Sequence, residues 1–131
     1  MYIKWLNKRA RQLHDRDLAQ GRPYGIAGSR ASYKAEIHAA VLAAGLFDPY
    51  TGEMMKYELM GTWDTSVDQP EGYSKKFRLL PTVDHVDPWG TELHMEICSL
   101  RINRCKGGLT PDEFIDVCGR VVLRQQKLVS I

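Results

Sequence analysis

Ile3, Leu6, Ala10 and Leu13 recur at helical spacing over residues 2–19, with Arg and Lys on the other faces. That is the pattern of an amphipathic helix, and Gly21-Arg22-Pro23 ends it. Residues 21–30 (GRPYGIAGSR) read as a Gly-rich connector. They lack GxxxxGK[ST] and no strand leads into them, so they are not a phosphate loop. Tyr33, Ile37, Val41 and Ala44 mark a second helix from about Ser32 to Ala44. Ser29 or Ser32 can cap its start, and Gly45 can supply the left-handed residue after its end. His38 lies between apolar neighbours on this helix with no carboxylate or cysteine at ligand spacing, and reads as a surface or boundary histidine.

The pattern then changes period. Residues 47–52 (FDPYTG) are a turn cluster, Met54–Met60 reads as a strand, and residues 61–76 as a long polar loop. Phe77–Val86 reads as a strand bent or edged at Pro81, and residues 87–90 (DPWG) turn the chain. In the returning strand Leu93, Met95 and Ile97 alternate with His94, Glu96 and Cys98. A short helix from about Ser99 to Lys106 stops at Gly107-Gly108. The last helix, 110–127, has the strongest start signal: a capping Thr110, Pro111 at the first helical position and Glu113 at the third. Phe114, Ile115, Cys118, Val121 and Val122 form its expected buried face. Helices flanking a hairpin give an α+β fold.

At 131 residues the chain has the length of a single folding domain. No apolar stretch approaches the roughly 20 residues that span a bilayer, and the opening Met1-Tyr-Ile-Lys-Trp lacks the apolar core of a signal peptide. A cytoplasmic, membrane-free protein is expected. The three cysteines, Cys98, Cys105 and Cys118, form no CxxC pair, which argues against a disulfide framework or a zinc knuckle. Net charge is +2 but uneven: residues 1–34 carry eight Lys/Arg against Asp15 and Asp17, a balance of +6, leaving −4 on the rest. A basic helical arm over residues 1–46 suggests contact with a polyanion, although a solvated helix face has the same composition.

The candidate chemistry sits at Asp84-His85, with Asn103-x-x-Lys106 following. A carboxylate is a hard ligand suited to Mg²⁺, and an imidazole suits a general base near neutrality. Together with the neutral amide oxygen of Asn103 they describe metal-assisted hydrolysis. Arg101, Arg104 and Lys106 around Asn103, with Lys75 and Lys76 before the strand, suit a phosphodiester. Adjacent strand residues point to opposite faces, so joint action of Asp84 and His85 needs an irregular strand end. Alone, the dipeptide also fits a capping Asp beside a core histidine.

From Pro81-Thr-Val-Asp-His-Val-Asp-Pro88 through Ile97-Cys-Ser-Leu-Arg-Ile-Asn-Arg-Cys-Lys106 the chain resembles the HNH, or ββα-metal, nucleases, and Leu109-Thr-Pro-Asp-Glu-Phe114 is similar to a run that follows in such proteins. The resemblance implies a hairpin and helix around one divalent ion, Mg²⁺ or Mn²⁺, over a nuclease domain spanning 47–131, acting on DNA. It makes Asp84 and Asn103 metal ligands and His85 the general base. His94 takes the middle position, usually Asn, which braces the loop holding the base. Ser99 and Ile102 stand where a zinc-binding cysteine pair would fall, so no structural zinc is expected. Cutting both strands with one site per chain would favour a homodimer. The alternative is a non-catalytic nucleic-acid-binding or partner-binding module on a decayed nuclease scaffold.

Overall fold

Leu6, Ala10 and Leu13 line the buried face of helix α1 (Tyr2–Ala19), and Asp17 continues the same face one turn later. A computed structural model describes residues 1–62 and 75–129 of the chain. Most of the expected loop at 61–76 therefore lies outside the described residues. Ile3, the expected first member of the stripe, is exposed, because nothing packs over that end of the face.

The Gly-rich connector is not featureless. Pro23–Ala27 forms a short helix α2, with Pro at its start, where a missing N–H costs nothing. Its Gly25 is pressed against α1: a Cβ there would stand 2.9 Å from the backbone of both Asp17 and Leu18. Arg22 and Tyr24 then reach across to the far turn. Both donate hydrogen bonds to the Pro88 carbonyl, and the Arg22 guanidinium lies 5.4 Å from the centre of the Trp89 ring.

Helix α3 (Arg30–Ala44) begins with a reciprocal capping box. The Ser29 hydroxyl accepts from the Ser32 N–H, and the Ser32 hydroxyl accepts from the Ser29 N–H. Tyr33, Ile37 and Ala40 are its buried positions. The strand expected over Met54–Met60 does not form. Phe47 and Met54 make one isolated antiparallel bridge, and Tyr57–Leu59 is a single 3-10 turn. The Met55 and Lys56 N–H groups bond to the Leu46 and Leu79 carbonyls instead, and just before them the Asp48 carboxylate ties the 48–51 turn to the sheet, accepting from the N–H groups of Tyr50, Thr51 and Ser99.

The sheet among the described residues is one antiparallel pair, β1 (Pro81–His85) and β2 (Met95–Ser99). Pro81 faces Ser99, Asp84 faces Glu96 and His85 faces Met95. The first strand is shorter than its apolar run suggests, because residues 77–79 form a turn. Ser99 ends β2 and caps helix α4 (Leu100–Lys106), its side chain accepting from the Ile102 N–H. Gly107, at φ 53°, closes α4 in the left-handed region. Helix α5 (Pro111–Val129) follows.

One apolar cluster joins Leu6, Ala10 and Leu13 of α1 and Tyr33 and Ile37 of α3 with Val83, Met95 and Ile97 of the hairpin. The segment read as an arm, 1–46, thus shares its core with the strands. A second cluster, Cys98, Ile102 and Phe114, joins the other side of the hairpin to α4 and the first turn of α5. The hairpin is a shared wall between the two. No described helix is long and apolar enough to cross a membrane.

Candidate functional site

Asp84 and His85 end β1 and are both buried. Strand alternation turns them to opposite sides, and their partners record it. Asp84 points toward α4, where its Oδ2 lies 3.0 Å from Lys106 Nζ. His85 points toward α1, where its Nε2 lies 2.9 Å from Asp17 Oδ2. The hairpin end therefore carries a lysine–carboxylate ion pair on one face and an imidazole–carboxylate contact on the other.

On the α4 face, Lys106 is 1 % exposed. Expected to meet phosphate, it is instead sealed in, because a buried carboxylate needs a counter-ion more than the surface needs another lysine. Its ammonium also donates to the His85 carbonyl, at 3.0 Å. Burial still raises the Asp84 pKa, with Lys106 offsetting only part of that desolvation. Opposite Asp84 across the strands, Glu96 is raised for the same reason and accepts a hydrogen bond from the Tyr50 hydroxyl.

Asn103 stands one turn before Lys106 on α4. Its Nδ2 donates to Thr82 Oγ1 at 3.0 Å and to the Val83 carbonyl at 3.2 Å. The Thr82 hydroxyl donates to the Cys98 carbonyl, so both groups facing Asn103 are acceptors, and this fixes which end of the amide is nitrogen. The nitrogen end is committed to the strand, and Oδ1 is the end that can accept a hydrogen bond or ligate a metal. Asp84 and Asn103 thus lie on the same side of the hairpin, linked through the Val83 carbonyl and Lys106.

The α1 face holds what the sequence reading missed. Asp17 is fully buried and accepts a hydrogen bond from the Tyr33 hydroxyl at 2.9 Å. Desolvation works to raise its pKa, but the contacts with His85, Tyr33 and Arg16 outweigh it and hold the carboxyl below the ordinary range. Burial, then the Asp17 bond, pushes the Tyr33 hydroxyl up, so it remains a donor. The His85–Asp17 contact is at ion-pair distance, though angled away from a straight hydrogen bond. A carboxylate only accepts, so it favours the imidazole proton on Nε2 and leaves Nδ1 as the basic nitrogen. Tyr24 closes the pocket, its ring centre 4.9 Å from that of His85. The signal for Asp17 was in the chain: it falls on the stripe of Leu6, Ala10 and Leu13, and a carboxylate on an apolar face needs a partner.

His94, expected to brace the base, is exposed just before β2. Its carbonyl accepts from the Val86 N–H at 2.9 Å, which extends the hairpin ladder. Asp17, and not the His94 side chain, is what holds His85. Arg101 is exposed and paired with Glu53. Arg104, Lys75 and Lys76 are exposed, and Lys76 Nζ lies 5.6 Å from the Phe77 ring centre.

Among the described residues no three His, Cys, Asp or Glu side chains converge as a metal set. The expected pair, one carboxylate and one amide, is a different kind of donor set and is present on one face. Both are hard oxygens, the kind of atom a divalent ion takes. Comparison with known protein families, characterised proteins and solved structures finds no match.

Proposed function

We propose that the chain is a metal-dependent endonuclease of the HNH type, hydrolysing nucleic-acid phosphodiester bonds, with DNA as the substrate. The observation that carries this reading is the hairpin end beside α4, where Asn103 bonds the Val83 carbonyl and Lys106 of the same helix pairs with Asp84, so that both expected ligands belong to one face of the hairpin. Asp84 and Asn103 would hold Mg²⁺ or Mn²⁺ through oxygen. When bound, such an ion supplies charge stabilisation for the phosphate and the departing oxygen.

The remaining steps belong to the chain. His85 would act as the base through Nδ1, with Asp17 on its Nε2 side, but its ring faces α1 while Asp84 faces α4, so joint action with a metal at Asp84 requires the strand end to rearrange. Asp17 is a positioning residue, since it acts through His85. Exposed basic groups hold the polyanion. Arg104, Lys75 and Lys76 lie at the surface, and a groove between α1 and α3 is lined by Asn7, Arg11, Arg30 and Lys34. Such contacts give sequence-independent, salt-sensitive affinity.

A plasmid-nicking assay with Mg²⁺, Mn²⁺ and EDTA tests the reading. Wild type should nick with metal and not with EDTA, and His85→Ala should abolish nicking while DNA retardation persists. One pair of observations favours the second reading, a binding module on a decayed nuclease scaffold. Lys106 already neutralises Asp84, and His85 is only 6 % exposed. Retardation without nicking under any metal would establish that reading in place of the first.

A further inference from the structure

Helix α5 runs from Pro111 to Val129, yet Phe114 is its one buried residue among those described. Phe114 meets Tyr50 edge-on, ring centres 5.7 Å apart, and packs with Cys98 and Ile102. Beyond that first turn the same face carries on without cover from the described residues. Ile115, Val117, Val121, Val122, Leu128 and Val129 are each about half exposed or more. At 3.6 residues per turn, Phe114, Val117, Cys118, Val121, Val122 and Leu128 fall within one arc, with Ile115 at its border. An isolated helix keeps such a face in water only at a cost, and a contiguous apolar strip marks an interaction surface.

The charges on α5 say what covers it. Asp112, Glu113 and Asp116 occupy the first half, and Arg120, Arg124 and Lys127 the second. Glu113 and Arg124 fall about 20° apart on the helical wheel, at the same border of the apolar face. In an antiparallel pair of identical helices same-border positions meet, so Glu113 of one lies beside Arg124 of the other, while Asp112, Asp116, Arg120 and Lys127 sit on the far side of the helix, where Asp116 and Arg120 pair with each other. A parallel pair would set like charges at the same height. The surface is therefore complementary to itself under a two-fold axis, the requirement for an isologous contact.

We propose that α5 is a homodimerisation helix, its apolar face covered by the α5 of a second copy of this chain running antiparallel. This does not depend on the nuclease reading, because it uses no residue of the hairpin end. The partner chemistry is an amphipathic helix with an acidic start and a basic end, which the chain itself provides.

Sedimentation of the full chain across a concentration series tests it. Wild type should be a dimer, and Val121→Glu/Val122→Glu should weaken association more than about a hundredfold by placing charge in the seam. Both positions are exposed in the single chain, so circular dichroism should show an unchanged melting temperature for the core in that variant. Glu113→Gln, which keeps an acceptor for the Thr110 N–H, and Arg124→Glu should each weaken the dimer, the latter about tenfold, and Glu113→Arg/Arg124→Glu should recover association relative to Arg124→Glu. A monomeric wild type at high micromolar concentration overturns the proposal. So does a dimer indifferent to Val121→Glu/Val122→Glu, which would use another surface. Charge reversal without rescue in the double variant overturns the antiparallel arrangement.

Discussion

Asp17 Oδ2 lies 2.9 Å from His85 Nε2, the carboxylate coming from the first helix and the imidazole from the end of the first strand. Asp17→Asn keeps the size of the side chain and an acceptor for Tyr33, but removes the charge facing the ring. Metal-dependent nicking should fall about tenfold or more, a share of the 10²–10⁴ that a positioned base supplies. The loss should appear in kcat with KM for DNA unchanged, and the His85 ring ¹⁵N shifts should lose their preference for one tautomer. A variant with the wild-type rate and tautomer would remove Asp17 from the mechanism.

Acid stability follows from the two depressed carboxyls. Asp17 is held low against its own burial by His85, Tyr33 and Arg16. Asp48 is held low against its burial by the N–H groups of Ser99, Thr51 and Tyr50. A folded carboxyl below its unfolded value of about 3.9 contributes stability that is present above that value and lost as pH falls through the folded pKa. Asp48→Asn should therefore cost about 2 kcal/mol at pH 7 and much less at pH 3. Urea unfolding at the two pH values checks it, and an equal cost at both would contradict the assignment.

The buried pair of Lys106 and Asp84 gives a double-mutant test. Lys106→Met leaves a carboxylate on the α4 face without its counter-ion and should cost about 3 kcal/mol. Adding Asp84→Asn removes the charge that needed pairing, so the double variant should recover part of the loss. Denaturant melts of the four proteins give the coupling, and additive losses would mean that the two side chains do not stabilise one another.

The hairpin was legible because its residues alternate and its turn is punctuated, and α5 because Thr110, Pro111 and Glu113 spell out a helix start. The α+β class follows from those elements. Residues 54–60 were misread because a short apolar run takes its conformation from its surroundings, and here Met55, Lys56 and Tyr57 bond to the Leu46, Leu79 and Gly45 carbonyls rather than to a partner strand. At the candidate site Asp84 and Asn103 could be named from spacing; Asp17 could be placed on the buried stripe of α1, but its partner could not. Its link to His85 exists only after α1 has packed on the strands, and no local period encodes a long-range contact. Lys106 was misplaced because lysine is ordinarily solvated, and only the burial of Asp84 brings it inside. The face of α5 was read correctly as apolar, but among the described residues only Phe114 of it is buried.

Gly25 is where α2 can touch the backbone of α1 beside Asp17. The carboxylate that orients His85 is thus seated by a contact that tolerates no side chain. A transplant of the hairpin and α4 into another scaffold would carry Asp84, Asn103 and the imidazole, yet leave the imidazole unaimed. The first twenty-five residues and the strand end form one inseparable inheritance, and swaps between related chains would have to exchange them together.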